Sequence, residues 1–256
     1  MSFSDSTNTA SVVFGSARLR DMILKIRRGE MRREQSIKDQ LKGLTDFISR
    51  NYGLLFKKQH RDGKKRSKFS LNGSFKVGTG STQVGNKQHI GKSPYFRKHN
   101  FKNTTVYLKP VEKQDISADK KEAYRKAKRV MECVDPDFAK GEFLVQFSHM
   151  NSADHFVKMH VDADDISPQY IFCFGEYDGI VKLNVYDKNK VFYKAFDCKD
   201  RILKVDGRLP HSVDKTPDFR GNRFAVIWYK SFDSRLCDQT PILHHPHFVY
   251  PSSDRI

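Results

Sequence analysis

From residue 141 onward the chain is a succession of short runs rich in Val, Ile, Phe and Tyr, broken by turn residues: GEFLVQFSHM, HFVKMHV, QYIFCFGEY, GIVKLNVYD, KVFYKAFD, RILKVDG and RFAVIWYKSF. Runs of this length and composition read as strands. Strands recurring at such regular spacing indicate a β-sandwich, a barrel or a jelly roll.

The other half of the chain is different in charge. Residues 1–140 carry 32 Lys and Arg against 14 Asp and Glu, a net +18, whereas 141–256 carry 15 against 16, a net −1. Basic charge confined to one half points to a polyanionic partner, and nucleic acid, DNA ahead of RNA, is the expected one. A basic extension that is merely well solvated is the plainer alternative. No run of about 18 apolar residues is present, so no membrane span is expected. The first residues, MSFSDSTNTASVVFG, lack the basic start and apolar stretch of a secretory signal. Cys133, Cys173, Cys198 and Cys237 are scattered without a CxxC pair, which speaks against a zinc knuckle or a disulfide framework and for a reducing, intracellular compartment.

Within the basic half, residues 1–16 are Ser-, Thr- and Asn-rich and read as a disordered tail. Leu19, Met22, Ile23 and Ile26, then Ile37, Leu41, Leu44, Phe47 and Ile48, recur at helical spacing and suggest two helices with a break near Gly29. Arg27-Arg28 and Arg32-Arg33 are candidates to touch phosphates, or form a solvated face. Residues 57–103 interleave cations with Phe69, Phe75, Tyr95, Phe96 and Phe101, a mixture suited to a groove that holds phosphates and stacks bases; a surface loop is the alternative. GTGSTQVGNK lacks the ending of a phosphate-binding P-loop. Residues 117–134 form the clearest helix, with Ser117 as cap and Ala123, Ala127, Val130, Met131 and Val134 on one face.

The chemistry is expected among the strands. His160 and Asp162 are two residues apart, so on a strand both point to the same side and can reach one metal. His211, in DGRLPHSV, supplies a third donor. Two imidazoles and a carboxylate on one face of an octahedral metal leave three positions open, as in non-haem iron oxygenases. An HxD pair alone, in a chain with 10 His, is weak. It gains weight from the later histidine and from Arg223 in GNRFAVIWY, a cation expected to point into the sheet interior, where a dicarboxylate would match it. A structural salt bridge is the alternative for Arg223.

The stretches HVDADDISPQYIFCFGEYDGIVKLNVYD, ILKVDGRLPHSV and NRFAVIWY resemble the 2-oxoglutarate/Fe(II) dioxygenases, most nearly their TET/JBP branch, over about residues 142–232. That branch oxidises the methyl group of 5-methylcytosine or thymine in nucleic acid. The resemblance implies that His160, Asp162 and His211 ligate Fe(II) and that Arg223 binds the distal carboxylate of 2-oxoglutarate. It places Asp165 at an acidic position that contacts the target base in some members. Where the family often has an arginine before HxD, this chain has His155 and Lys158; His155 and Asn151 are the candidates for the proximal end of 2-oxoglutarate.

The fold implied is α+β: a double-stranded β-helix (jelly-roll) core over 141–256, with a basic helical and loop region, 17–140, packed on it and contacting nucleic acid. The expected activity is oxidation of a base methyl group, with a nuclear location if the source is eukaryotic. Two other readings remain: a prolyl or lysyl hydroxylase of the same fold, and a non-catalytic nucleic-acid-binding jelly-roll protein.

Overall fold

A computed structural model describes residues 8–56, 73–84, 104–151, 157–162, 165–230 and 245–251. In chain order these form helix α1 (Asn8–Leu55), strands β1 (Gly73–Gly78), β2 (Gly80–Val84) and β3 (Thr104–Leu108), helices α2 (Ala118–Val134) and α3 (Pro136–Lys140), and strands β4 (Leu144–Met150), β5 (Val157–His160), β6 (Gln169–Phe174), β7 (Tyr177–Asp178), β8 (Val181–Tyr186), β9 (Phe192–Asp197), β10 (Ile202–Val205), β11 (His211–Lys215), β12 (Arg220–Gly221), β13 (Arg223–Tyr229) and β14 (His247–Tyr250).

The expected pair of N-terminal helices is one continuous helix, and it starts at Asn8, within the segment read as a tail. Gly29 does not break it. A glycine costs a helix only about 1 kcal/mol relative to alanine, and its neighbours Arg, Lys, Leu, Met and Glu are good helix formers. Ile37, Leu41, Leu44 and Ile48 are buried at the expected spacing, whereas Leu19, Met22, Ile23 and Ile26 are exposed. Helix α2 forms as its pattern requires, with the Ser117 hydroxyl accepting from the Lys120 N–H. It packs along α1, and Arg33 donates to the C-terminal carbonyls Cys133 O at 3.1 Å and Val134 O at 2.6 Å. Arg33 is therefore committed to closing a helix end rather than to phosphate.

Six strands form one antiparallel sheet in the order β1-β4-β13-β6-β10-β14, and four form a second in the order β5-β11-β8-β9. From β4 onward the chain passes between the two: β4, β6, β10 and β13 belong to the first, and β5, β8, β9 and β11 to the second.

The two-residue period of β13 separates two cores. Phe224, Val226 and Trp228 join Ile37, Leu44, Ala127 and Met131 in the cluster beneath the helices. Ala225, with Ile227 packed at its margin, joins Leu183, Val185, Phe196 and Leu203 between the sheets. Residues from both halves of the chain thus share one hydrophobic cluster. Phe75, expected among the base-stacking aromatics, belongs to it, its ring stacked on Phe147 with centroids 4.8 Å apart. The GSFKVG segment that reads as loop is an edge strand, burying Phe75 and Val77 while Ser74 and Lys76 are exposed on the side they share with their β4 partners Ser148 and Gln146. Phe69, Tyr95, Phe96 and Phe101, and the basic run 57–68, lie outside the described residues.

Among the described residues, no helix is long and apolar enough to cross a membrane.

Candidate metal centre

Strands β5 and β11 are antiparallel neighbours, and their register sets His160 directly opposite His211. Facing residues on paired strands project to the same side, and the two imidazole centroids are 4.2 Å apart. Asp162 follows two residues after His160, just past the end of β5. Its carboxylate lies between the rings, with Oδ1 3.7 Å from His160 Nε2 and Oδ2 3.6 Å from His211 Nε2. One donor atom from each of the three residues lies within 4.8 Å of the others.

The histidines are oriented for metal binding. His160 Nδ1 is 2.9 Å from Lys158 O, and His211 Nδ1 is 2.9 Å from Leu209 O. A carbonyl only accepts, so each ring places its proton on Nδ1 and turns the Nε2 lone pair toward Asp162. Burial holds the His211 pKa below its ordinary value, although the Asp162 charge works the other way. The neutral imidazole is the form that ligates. The Asp162 carboxylate accepts from Gln169 Nε2 at 3.1 Å, and its backbone N–H donates to Gly207 O at 2.8 Å.

A cavity of about 440 Å³ opens between the sheets, lined by all three of these residues and by Arg223. Arg223 opens β13 and faces inward, on the same side as Ala225 and Ile227. Its side chain is buried; Nη2 donates to Cys173 Sγ at 2.9 Å, and Nε has no hydrogen-bond partner. Among the described residues no salt bridge to Arg223 forms, so the structural ion pair that was the alternative for it is not found there. Instead the cation lies by two buried thiols. The Cys173 thiol is drawn down by a hydrogen bond with Cys198 and by the Arg223 charge, and the Cys198 thiol is pushed up in return. A buried guanidinium with an unused N–H and no carboxylate fits a small anionic ligand with two acceptor oxygens. The donor set and this cation therefore suit Fe(II) and 2-oxoglutarate respectively.

The other expected residues divide. Asp165 is buried and lines the same cavity, with its N–H donating to Asp162 O. Asn151 is exposed, directly after β4, and is absent from the cavity lining. His155 lies outside the described residues.

Sequence reasoning passed over Gln169, Gln146, Ser148 and Lys76, all of which line the cavity. The signal was present in β4: Gln146 and Ser148 alternate with Val145 and Phe147, so one face of a central strand is polar where a closed core would make it apolar.

No family model matches the chain, and no curated protein matches it. Solved structures do. A cysteine peptidase from Thevetia peruviana latex, peruvianin-I, aligns at 9% identity over 35% of this chain and 50% of that one, with a TM-score of 0.26. An oxidoreductase of the 2OG-Fe(II) oxygenase family from Burkholderia pseudomallei aligns at 16% identity over 50% and 61%, with a TM-score of 0.31. A prolyl-4-hydroxylase from Pseudomonas putida aligns at 9% identity over 75% and 86%, with a TM-score of 0.35. The chain spans less than two thirds of the first two. With TM-scores this low, none of these likenesses establishes a shared fold or activity.

Proposed function

We propose that this chain is an Fe(II)- and 2-oxoglutarate-dependent dioxygenase on a double-stranded β-helix, acting on nucleic acid. What carries the first part is the convergence of His160, Asp162 and His211 in the cavity that also holds the buried Arg223. The passage of the chain between two facing sheets supports the β-helix. The chemistry such a centre supplies when loaded is oxidation of a C–H bond, coupled to conversion of 2-oxoglutarate and oxygen into succinate and carbon dioxide.

The residues divide the remaining work. His160, Asp162 and His211 would hold the metal from one side and leave the opposite side open. Arg223 would bind the distal carboxylate through its free Nε and the Nη2 now on Cys173. Leu183, Val213, Ala225 and Ile227 line the cavity with apolar surface, which excludes water and strengthens the charge contacts inside. The proximal end of 2-oxoglutarate has Ser148 and Gln146 within the same cavity, whereas Asn151 faces solvent.

Support for a nucleic-acid substrate is the +18 charge of residues 1–140. In addition, Lys76, from that half, lines the cavity beside Tyr229, its amine 5.3 Å from the ring centroid. A base inside a duplex would have to be flipped out to reach the metal, and for a cytosine base Asp165 would accept from the exocyclic amino group there. The methyl group of 5-methylcytosine or thymine, as in the TET/JBP branch, is the proposed target.

Succinate release tests this. Purified protein is supplied with Fe(II), 2-oxoglutarate, and methylated or unmodified DNA and RNA oligonucleotides or proline- and lysine-containing peptides, and products are digested for mass spectrometry. Hydroxymethylated nucleosides are expected, absent with His211→Ala. Hydroxylated peptide with unmodified nucleosides would make the chain a protein hydroxylase, and no succinate above the variant would remove the enzyme reading.

A further inference from the structure

The donor atoms converge, but only His160 and His211 are held on paired strands. Asp162 lies beyond β5, where no ladder fixes it. Its restraint comes from the turn between β10 and β11, residues Asp206-Gly207-Arg208-Leu209.

Asp206 is fully buried, and its carboxylate receives Arg208 three times: Nε at 2.9 Å, Nη2 at 2.8 Å and the backbone N–H at 3.1 Å. The Leu209 N–H closes the turn on Asp206 O at 3.1 Å. So braced, the turn presents two carbonyls to the metal centre. Gly207 O accepts the Asp162 N–H at 2.8 Å, and Leu209 O accepts from His211 Nδ1 at 2.9 Å.

Gly207 has a second part. A Cβ at this position would stand 2.3 Å from Gln169 Nε2 and 2.9 Å from Asp165 Oδ2. The bare α-carbon thus lets the Gln169 amide close over the turn and donate to Asp162 Oδ2. Backbone and carboxylate of Asp162, and the tautomer of His211, are all set from this one turn.

We infer that the Asp206–Leu209 turn, braced by the Asp206–Arg208 ion pair and closed over by Gln169, is the device that positions two of the three metal ligands. Gly207 and Gln169 are positioning residues that act through Asp162. The inference rests on the metal-site reading above.

The test uses Co(II) as probe, read by equilibrium affinity and by the visible absorption of the bound ion, which reports ligand geometry. The full chain is compared with Gln169→Leu, Gly207→Ala, Gln169→Ala and the Gln169→Ala/Gly207→Ala pair. Outer partners of metal ligands are worth roughly 10–100-fold in affinity. Losses of that size, with an altered spectrum, are expected for Gln169→Leu and Gly207→Ala, while the melting temperature without metal stays that of wild type. Because the tightest clash of the added methyl group is with the Gln169 amide, ahead of the Asp165 carboxylate, most of the Gly207→Ala loss should vanish once Gln169 is alanine. Wild-type affinity and spectrum in both Gln169→Leu and Gly207→Ala would overturn the inference. So would an affinity loss matched by a fall in metal-free melting temperature, which marks a purely structural role. Failure of the wild-type protein itself to bind Co(II) would instead remove the metal-site reading, and this inference with it.

Discussion

An Arg223→Leu variant is expected to keep its metal and lose its cosubstrate. The guanidinium is buried, one N–H is unused, and its observed partner is a thiol rather than a carboxylate. Charge-assisted hydrogen bonds contribute about 1.5–3 kcal/mol each, so losing a two-pronged contact weakens 2-oxoglutarate binding by roughly 100-fold or more. The protein itself should tolerate the change, because removing a buried charge together with its desolvation cost is often neutral or stabilising. In wild type, 2-oxoglutarate at about 100 times its Kd, with metal present, adds about 2.7 kcal/mol of stability. Thermal melts should therefore rise with 2-oxoglutarate in wild type and stay flat in Arg223→Leu, with succinate production lost. An equal thermal shift in both proteins would place the cosubstrate elsewhere.

Trp228→Ala is expected to have the largest effect on the fold. Trp228 is the chain's one tryptophan, fully buried beneath the helices, and its Nε1–H donates to Ala127 O on α2 at 3.0 Å. It ties β13, which carries Arg223 on its opposite face, to the helical layer. Truncating a buried tryptophan costs about 3–5 kcal/mol, a large share of the roughly 5–15 kcal/mol that holds a typical domain folded. Urea unfolding followed by circular dichroism should show the midpoint fall sharply with the slope unchanged. A loss below about 0.5 kcal/mol, within the usual range of surface substitutions, would mean that the helices and β13 are not one cooperative layer.

Much of this was legible in the sequence because it rests on short-range pattern. His160 and Asp162, two residues apart, do come together, Oδ1 lying 3.7 Å from Nε2, although Asp162 lies just past the end of β5. Helix α2 announced itself through Ser117 and its apolar stripe. What escaped was decided by tertiary partners. His211 reads as a residue after a turn, yet it opens β11, since the pairing that makes 211–215 a strand comes from β5 and β8. Arg33 looks like half of a basic pair and is instead bonded to the end of α2, a contact spanning a hundred residues. Phe75 among cations fits a stacking groove and an edge strand equally well, and only its packing on Phe147 decides. The Asp206–Leu209 turn carries no motif; its role is visible only once Gly207 O is found against the Asp162 N–H.

The central claim is that His160, Asp162 and His211 form one metal site. Anaerobic equilibrium dialysis against Fe(II), followed by iron analysis, tests it most directly on wild type and Asp162→Ala. One iron per chain is expected in wild type and background in the variant, because the carboxylate lies between both imidazoles. Equal occupancy in the two proteins, or none in wild type, would contradict the account.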